Sequence, residues 1–291
     1  MLADIPIVIA PLFAIAGIGF LWKRAGWPFD TDRIAALGTN FGVPCLIFAT
    51  LTSLEISPAT FGWITLAYVA VVALNLMVGT LILRAAKLEA GVYLPPLTFP
   101  NSGNMGLPVC LLAFGDPGLA LAMSPFLIAS LGNVTIGVAL VAGKASLWQL
   151  FGNPYIYVIA AALVLMATDT VPPPWISNTA QLIGGIAILL MLMALGVSLA
   201  TLKVRSIPRS VLLSVARLVM GFCIGFAMAE AFGLTGAARG VLILQSSMPV
   251  AVMNFLFASR YDRAPEEVAG MIVVSTVISF ATLPLLLAVV L

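Results

Sequence analysis

The chain is a succession of long apolar stretches joined by short connections that carry most of its charged residues. Hydrophobic residues make up 62% of it and charged residues only 8%, whereas soluble domains carry about 25% charged residues. A helix needs about 20 apolar residues to cross the roughly 30 Å of hydrocarbon in a bilayer. The sequence therefore predicts an all-α polytopic membrane protein whose main surroundings are the lipid bilayer.

Hydropathy divides the chain into ten candidate membrane-spanning helices. The first five centre near Ala14, Gly42, Val72, Gly103 and Ala129, and the second five near Ala161, Leu192, Gly221, Pro249 and Ser279. Basic residues follow the first apolar stretch and none precedes it, which is the reverse of a secretory signal. We therefore expect a retained first helix.

The basic residues predict the orientation of these helices. If the N-terminus is outside, eleven of the thirteen basic residues fall in cytoplasmic connections, as the positive-inside rule requires. They are Lys23, Arg24, Arg33, Arg84, Lys87, Lys144, Lys203, Arg205, Arg209, Arg260 and Arg263. Of the other two, Arg239 is external and Arg217 lies within a span. Both termini are predicted to be outside.

Ten spans with this orientation divide into two halves of opposite topology. Residues 1–145 form the first five-helix repeat and residues 146–291 the second. Pro100 interrupts the fourth helix of the first half, and Pro249 interrupts the corresponding ninth helix. In transporters, interrupted spans at corresponding positions of two halves indicate a binding site.

The two interrupted helices are rich in polar residues in the middle of the membrane. The segments are "FPNSGNMGLPV" from Phe99 and "LQSSMPVAVMNFLFASRY" from Leu244. Proline removes a backbone donor and breaks the helix. Irregular backbone survives at membrane depth only where it is buried in protein or lines a wet cavity. We therefore expect the two breaks to cross each other near the midplane.

The ends of two broken helices can bind an anion without a basic side chain. Each helix N-terminus carries about half a positive charge, and its N–H groups point outward. The predicted substrate-binding residues are Pro100, Asn101, Ser102, Gly103, Asn104, Gln245, Ser246, Ser247, Pro249, Asn254 and Arg217. The alternative is a pair of structural kinks whose amides are satisfied internally.

Arg217 is the one basic residue predicted inside a helix. A charge within the membrane is a functional hypothesis by default. The alternative is that its side chain snorkels to the cytoplasmic surface or forms a structural pair.

Several functions are disfavoured by residues that the sequence lacks. It contains no histidine, and none of its eleven acidic residues falls in the middle of the fourth or ninth span. We therefore predict no enzyme, no cofactor and no metal site of acidic or histidine ligands, although a sodium site built from carbonyls and amides stays open. A net charge of +2 gives no indication of nucleic-acid binding.

Three motifs carry a resemblance to the auxin efflux carrier family. "PNSGNMGLPV" resembles its fourth helix, "MPVAVMNFLFASRYDRAPE" its ninth helix and the following loop, and "FGVPCLIFATL" its second helix. The resemblance implies the fold of bile-acid symporters and sodium/proton antiporters. Helices 1, 2, 6 and 7 would form a scaffold that often dimerises, and helices 3–5 and 8–10 a mobile transport domain.

The same resemblance implies a permease for small organic anions, such as auxin, malonate or malate, in the inner (plasma) membrane. We expect elevator-type alternating access and export driven by the membrane potential. Sodium- or proton-coupled uptake is the alternative, and an anion channel is a more remote one.

Overall fold

The computed structural model describes residues 5–28, 30–53, 58–143, 152–168 and 170–291. Within these ranges the chain is almost entirely helical, and its one β pairing is an isolated bridge between Pro100 and Val250. The predicted all-α class is therefore confirmed. Lys144 and the proposed boundary at residue 145 lie outside the described residues.

Within the described ranges, the first half of the chain forms seven helices and three short π-helical turns. The helices are α1 (Ile5–Arg24), α2 (Thr31–Leu37), α3 (Val43–Ser53), α4 (Pro58–Ala85), α5 (Ala90–Thr98), α6 (Leu107–Gly132) and α7 (Val138–Ala142). The π turns are Gly38–Gly42, Ser102–Gly106 and Asn133–Gly137.

Six helices follow among the described residues of the second half. They are α8 (Pro154–Ala167), α9 (Pro174–Thr201), α10 (Ile207–Ala231), α11 (Gly236–Ser246), α12 (Met253–Arg260) and α13 (Pro265–Val290). Pro154, Pro174 and Pro265 occupy the first position of their helices. Proline suits that position because its fixed φ is helical and its missing N–H would have no partner there.

Five described segments are long and apolar enough to cross a membrane. They are Ala59–Ala85, Ser102–Ala142, Pro174–Thr201, Ile207–Ala231 and Pro265–Val290. Asn40–Thr52 and Pro154–Met166 are shorter apolar helices. These segments fit a polytopic membrane protein, while the count of ten spans and the five-plus-five repeat stay predictions.

The longest apolar segment reverses its direction at Gly115. This residue has φ 65° and ψ −159° inside α6, a conformation that is essentially restricted to glycine. A straight helix would place Phe126 about 34 Å from Gly103. Instead, a Cβ placed on Gly103 would lie 3.0 Å from the Phe126 ring. The chain therefore returns from Gly115 towards the middle of the molecule.

One group of helices, α1, α3, α8 and α9, packs closely through small residues. A Cβ on Gly196 of α9 would collide with the carbonyl of Ala16 in α1. A Cβ on Gly184 of α9 would lie 2.8 Å from the backbone of Leu46 in α3. Glycine at these positions lets the helix backbones touch, as in other membrane bundles.

A second group consists of α4, α5, α6, α10, α11 and α13, which pack around the two helix breaks. It meets the first group where the π turn Ser102–Gly106 lies against α9 and where α1 contacts α6 and α13. At the α1–α13 contact, the ring centroids of Phe13 and Phe280 are 4.5 Å apart.

Charged residues that were predicted to be cytoplasmic gather in one region of the second group. Arg263 forms a 3.0 Å ion pair with Glu89 and donates to the Val141 carbonyl at 3.2 Å. Arg209 lies 3.6 Å from Glu267. The Arg263–Glu89 pair is exposed and contributes little to stability. The two pairs nevertheless show that these basic residues lie close together.

Candidate functional site

The two proline-containing breaks meet inside the second group of helices. Pro100 lies in the gap between α5 and the following π turn, and Pro249 lies in the gap between α11 and α12. Pro100 and Val250 form an antiparallel bridge, in which the Asn101 N–H donates to the Pro249 carbonyl at 2.7 Å. We call residues 99–101 and 249–251 the crossing.

Phe99 holds the crossing together through its backbone and its ring. Its carbonyl accepts from the Ala251 N–H at 3.3 Å and from Asn254 Nδ2 at 3.4 Å. Its ring lies against Gly132 and Gly137, where a Cβ would come within 2.7 and 3.4 Å of ring atoms. Carbonyl groups that the break frees thus find donors within the protein, as the membrane interior demands.

Arg217 lies beside the crossing and is only 1% exposed. Its guanidinium donates to the carbonyls of Leu97 at 3.1 Å and Ser246 at 2.9 Å. It also donates to Asn75 Oδ1 at 3.3 Å. The guanidinium is buried on three oxygens, so the side chain does not snorkel to the surface, whereas the other alternative, a structural pairing, stays open. Its predicted role in substrate binding stays a prediction.

Four backbone N–H groups, two on each side of the crossing, form no hydrogen bond within the described residues. Helix resumes just after each break, and the N–H groups of Gly103, Asn104, Val252 and Met253 have no acceptor in the described part of the chain. We call these four groups the open amides. Counted from the proline of each break, they occupy the same third and fourth positions.

Buried side chains at the breaks also retain unused hydrogen-bonding atoms. Asn101 Nδ2, Ser102 Oγ, Gln245 Oε1 and Asn254 Oδ1 are buried without a partner among the described residues. Gln245 uses its other terminal atom, Nε2, for a 3.8 Å contact with Cys110 Sγ. An unpaired buried polar group is costly, and these four atoms are available for hydrogen bonds to a polar ligand.

The two serines before Pro249 use their hydroxyl hydrogens inside their own helix. Ser246 donates to the Leu242 carbonyl and Ser247 to the Ile243 carbonyl, both at 2.7 Å. Both side chains are buried. In this conformation they therefore have no hydrogen to donate to an anion, and their role in substrate binding stays a prediction.

The π turn presents part of the predicted site towards the first group of helices. Gly103 and Asn104 are half-buried. A Cβ on Gly103 would lie 3.9 Å from the end of the Met191 side chain in α9. On the inner side of the same turn, a Cβ on Gly106 would lie 2.5 Å from Gln245 Oε1. Glycine at residue 106 therefore leaves room for the end of the Gln245 side chain.

Three buried polar residues of this region were not predicted. Asn75 accepts from Arg217, and Ser275 Oγ accepts from the Val250 N–H at 3.1 Å. Tyr68 of α4 is fully buried as well. A signal existed for Asn75, which is an amide in the middle of an otherwise apolar span.

Across the described ranges, no three residues of the types His, Cys, Asp and Glu come together in a group that could hold a metal ion.

Comparisons with known proteins point to one function class. A family described as "Membrane transport protein" matches residues 138–287. An uncharacterized transporter from Methanocaldococcus jannaschii is 24% identical over 196 residues, which cover 64% of this chain and 63% of that protein. The chain thus spans just under two thirds of that relative. An uncharacterized transporter from Methanothermobacter thermautotrophicus is 24% identical over 285 residues, covering 92% of each chain.

Proposed function

This chain belongs to the membrane transport protein family, which includes the auxin efflux carriers, and we propose that it is a secondary transporter of small organic anions. Membership of this family identifies it as a multi-pass membrane protein that acts in transport. The prediction that it is not an enzyme is therefore confirmed. Substrate class, mechanism and direction are our proposal.

The observation that carries the proposal is the set of open amides at the two breaks. They mark the N-terminal ends of two half-helices, where partial positive charge and outward N–H groups favour an anion. Asn101 Nδ2 and the Ser102 hydroxyl add two buried donors without partners. A carboxylate accepts several hydrogen bonds and carries one charge, so it fits this set of donors.

Small carboxylates are the best class of substrate for such a site. The donors are short side chains and backbone amides close to the crossing, and the nearby basic group, Arg217, is already bonded to three oxygens. We therefore propose monocarboxylates and dicarboxylates such as auxin-like acids, malonate or malate.

We propose ten spans in two inverted repeats, residues 1–145 and 146–291, and elevator-type alternating access. The group formed by α1, α3, α8 and α9 would be the scaffold and would also form a homodimer. The group that contains the crossing would slide against it and carry the anion across the inner (plasma) membrane.

Export of an anion needs no coupling ion. The inside-negative potential supplies about 2.3 kcal/mol per charge per 100 mV, roughly a fifty-fold gradient. Uptake against that potential would need sodium or proton coupling, and coupled uptake is the second candidate function. The observation that favours it is that Gln245 and Asn254 have buried side-chain oxygens without partners, which a cation could use. A channel is the third.

Flux in proteoliposomes tests the proposed function. Vesicles loaded with radiolabelled malonate, with the voltage set by potassium and valinomycin, should lose label faster when their interior is negative. The rate should saturate with concentration, and unlabelled malonate outside should accelerate exchange. Vesicles without protein are the control. If malonate is not transported, a panel of other carboxylates is tested in its place.

A flux that never saturates would support the channel instead. Flux that requires an inward sodium or proton gradient would support coupled uptake, and inactivity towards every carboxylate would contradict the proposal.

Accessibility labelling tests the orientation. In a variant with Cys45, Cys110 and Cys223 replaced by alanine, a cysteine added after Leu291 should react with a membrane-impermeant maleimide in intact cells. A cysteine at residue 263, next to the Glu89 side chain, should react only after the cells are opened. The opposite pattern would invert the topology.

A further inference from the structure

The Arg217 side chain donates to one freed backbone carbonyl in each of the two broken helices. In an intact helix the carbonyl of residue 97 would accept from the N–H of residue 101, and that of residue 246 from residue 250. At the crossing, the Asn101 N–H instead goes to Pro249 and the Val250 N–H to Ser275. Both abandoned carbonyls accept from Arg217, and each lies three residues before its proline.

The same contacts place a full positive charge on two helix C-termini. Each C-terminal end carries about −0.5 of an elementary charge, so α5 and α11 together present about −1 to the guanidinium. Arg217 is buried at 1% exposure and offsets this charge. Without it, the negative C-terminal ends would counteract the positive N-terminal ends at the open amides.

We propose that Arg217 is a tethered cation that makes the crossing selective for anions and replaces a soluble coupling ion there. Three oxygens surround the guanidinium, and hard oxygen ligands of this kind also suit a small cation. Because the charge is covalently attached, it moves with the crossing and is never released. Arg217 is then a positioning residue that need not contact the substrate. The selectivity for anions rests on the proposed function, whereas the tethered charge does not.

Chemical rescue tests the tethered charge without any substrate. In purified Arg217→Ala the melting temperature should fall by about 10 °C, since a buried charge network is broken. Millimolar guanidinium chloride should restore about 3 °C by binding the vacated site. The parent protein and the Arg209→Gln variant, which loses a charge on the same helix far from the crossing, should gain nothing. Choline chloride is the salt control. Equal responses of Arg217→Ala and the parent to guanidinium would overturn the proposal.

Arg217→Lys and Arg217→Gln separate charge from packing and serve if Arg217→Ala fails to fold. The lysine variant should bind the probe malonate about tenfold more tightly than the glutamine variant. If Arg217→Lys and Arg217→Gln have equal malonate affinities and equal melting temperatures, the proposed role of the charge is overturned.

Replacing sodium with choline should change neither the melting temperature nor the malonate affinity of the parent. If the parent requires sodium for stability or for malonate binding, the claim that Arg217 replaces a coupling ion is overturned. Failure of the parent to bind any carboxylate would count against the proposed function, while the guanidinium rescue would still decide the tethered charge.

Discussion

Replacing Asn101 with alanine is expected to weaken carboxylate binding by ten- to a hundredfold while leaving the protein as stable as before. Its Nδ2 is buried without a partner, so the ligand-free protein bears the cost of an unused donor. A bound carboxylate would accept from it, and a hydrogen bond to a charged group contributes about 1.5–3 kcal/mol. The measurements are calorimetric titration with the substrate found in the flux assay and thermal unfolding of the free protein.

Ser247→Ala is the matched control for this prediction. Its hydroxyl lies on the other broken helix, is equally buried, and donates to the Ile243 carbonyl of its own helix. We expect its affinity to stay within a few-fold of the parent. If Asn101→Ala binds as tightly as the parent, the crossing is a structural kink and the site lies elsewhere. A large loss of stability in Asn101→Ala would instead indicate a structural role for the amide.

Joining α1 to α13 should stop transport altogether. The rings of Phe13 and Phe280 lie 4.5 Å apart, across the contact between the proposed scaffold and the proposed moving group. In a variant without native cysteines, Phe13→Cys and Phe280→Cys should be bridged by mercuric ion. The bridge prevents sliding, so counterflow should fall to the level of empty vesicles. Binding should persist because the crossing is untouched, and dithiothreitol should restore the flux.

A second cysteine pair controls for the chemistry of this cross-link. Trp63 and Phe232 have ring centroids 6.2 Å apart, and both lie in the group that contains the crossing. Mercuric ion between cysteines at these positions should leave counterflow nearly unchanged. Unimpaired transport with Phe13 and Phe280 positions bridged would contradict the elevator mechanism and favour a channel or a local gate.

The sequence identified the breaks but not the use that the protein makes of them. Pro100 and Pro249 lack an N–H, so a helical interruption follows from covalent chemistry wherever the chain goes. Serine is different, because its hydroxyl in a helix can turn to the carbonyl four residues earlier. Ser246 and Ser247 do so, whereas Ser102 keeps its hydroxyl unpartnered. Residue type alone cannot separate these two cases.

Arg217 shows the same limit for a charge. An arginine in an apolar stretch demands partners because a bare charge in hydrocarbon is costly. Its partners come from α4, α5 and α11, which are distant in sequence. Two of them are carbonyls, which every residue has, so no pattern of side chains could have pointed to them.

By itself, the sequence determined that this chain is an all-helical membrane protein and where two of its helices break, because apolar length and proline act locally. The tertiary structure decided what those breaks do. It turned the chain back at Gly115, paired Pro100 with Val250 and placed Arg217 on both helix ends. It also left the open amides without acceptors. These features depend on which atoms meet across distant helices. In a membrane, a freed N–H or carbonyl either finds its partner in that packing or lines a wet cavity.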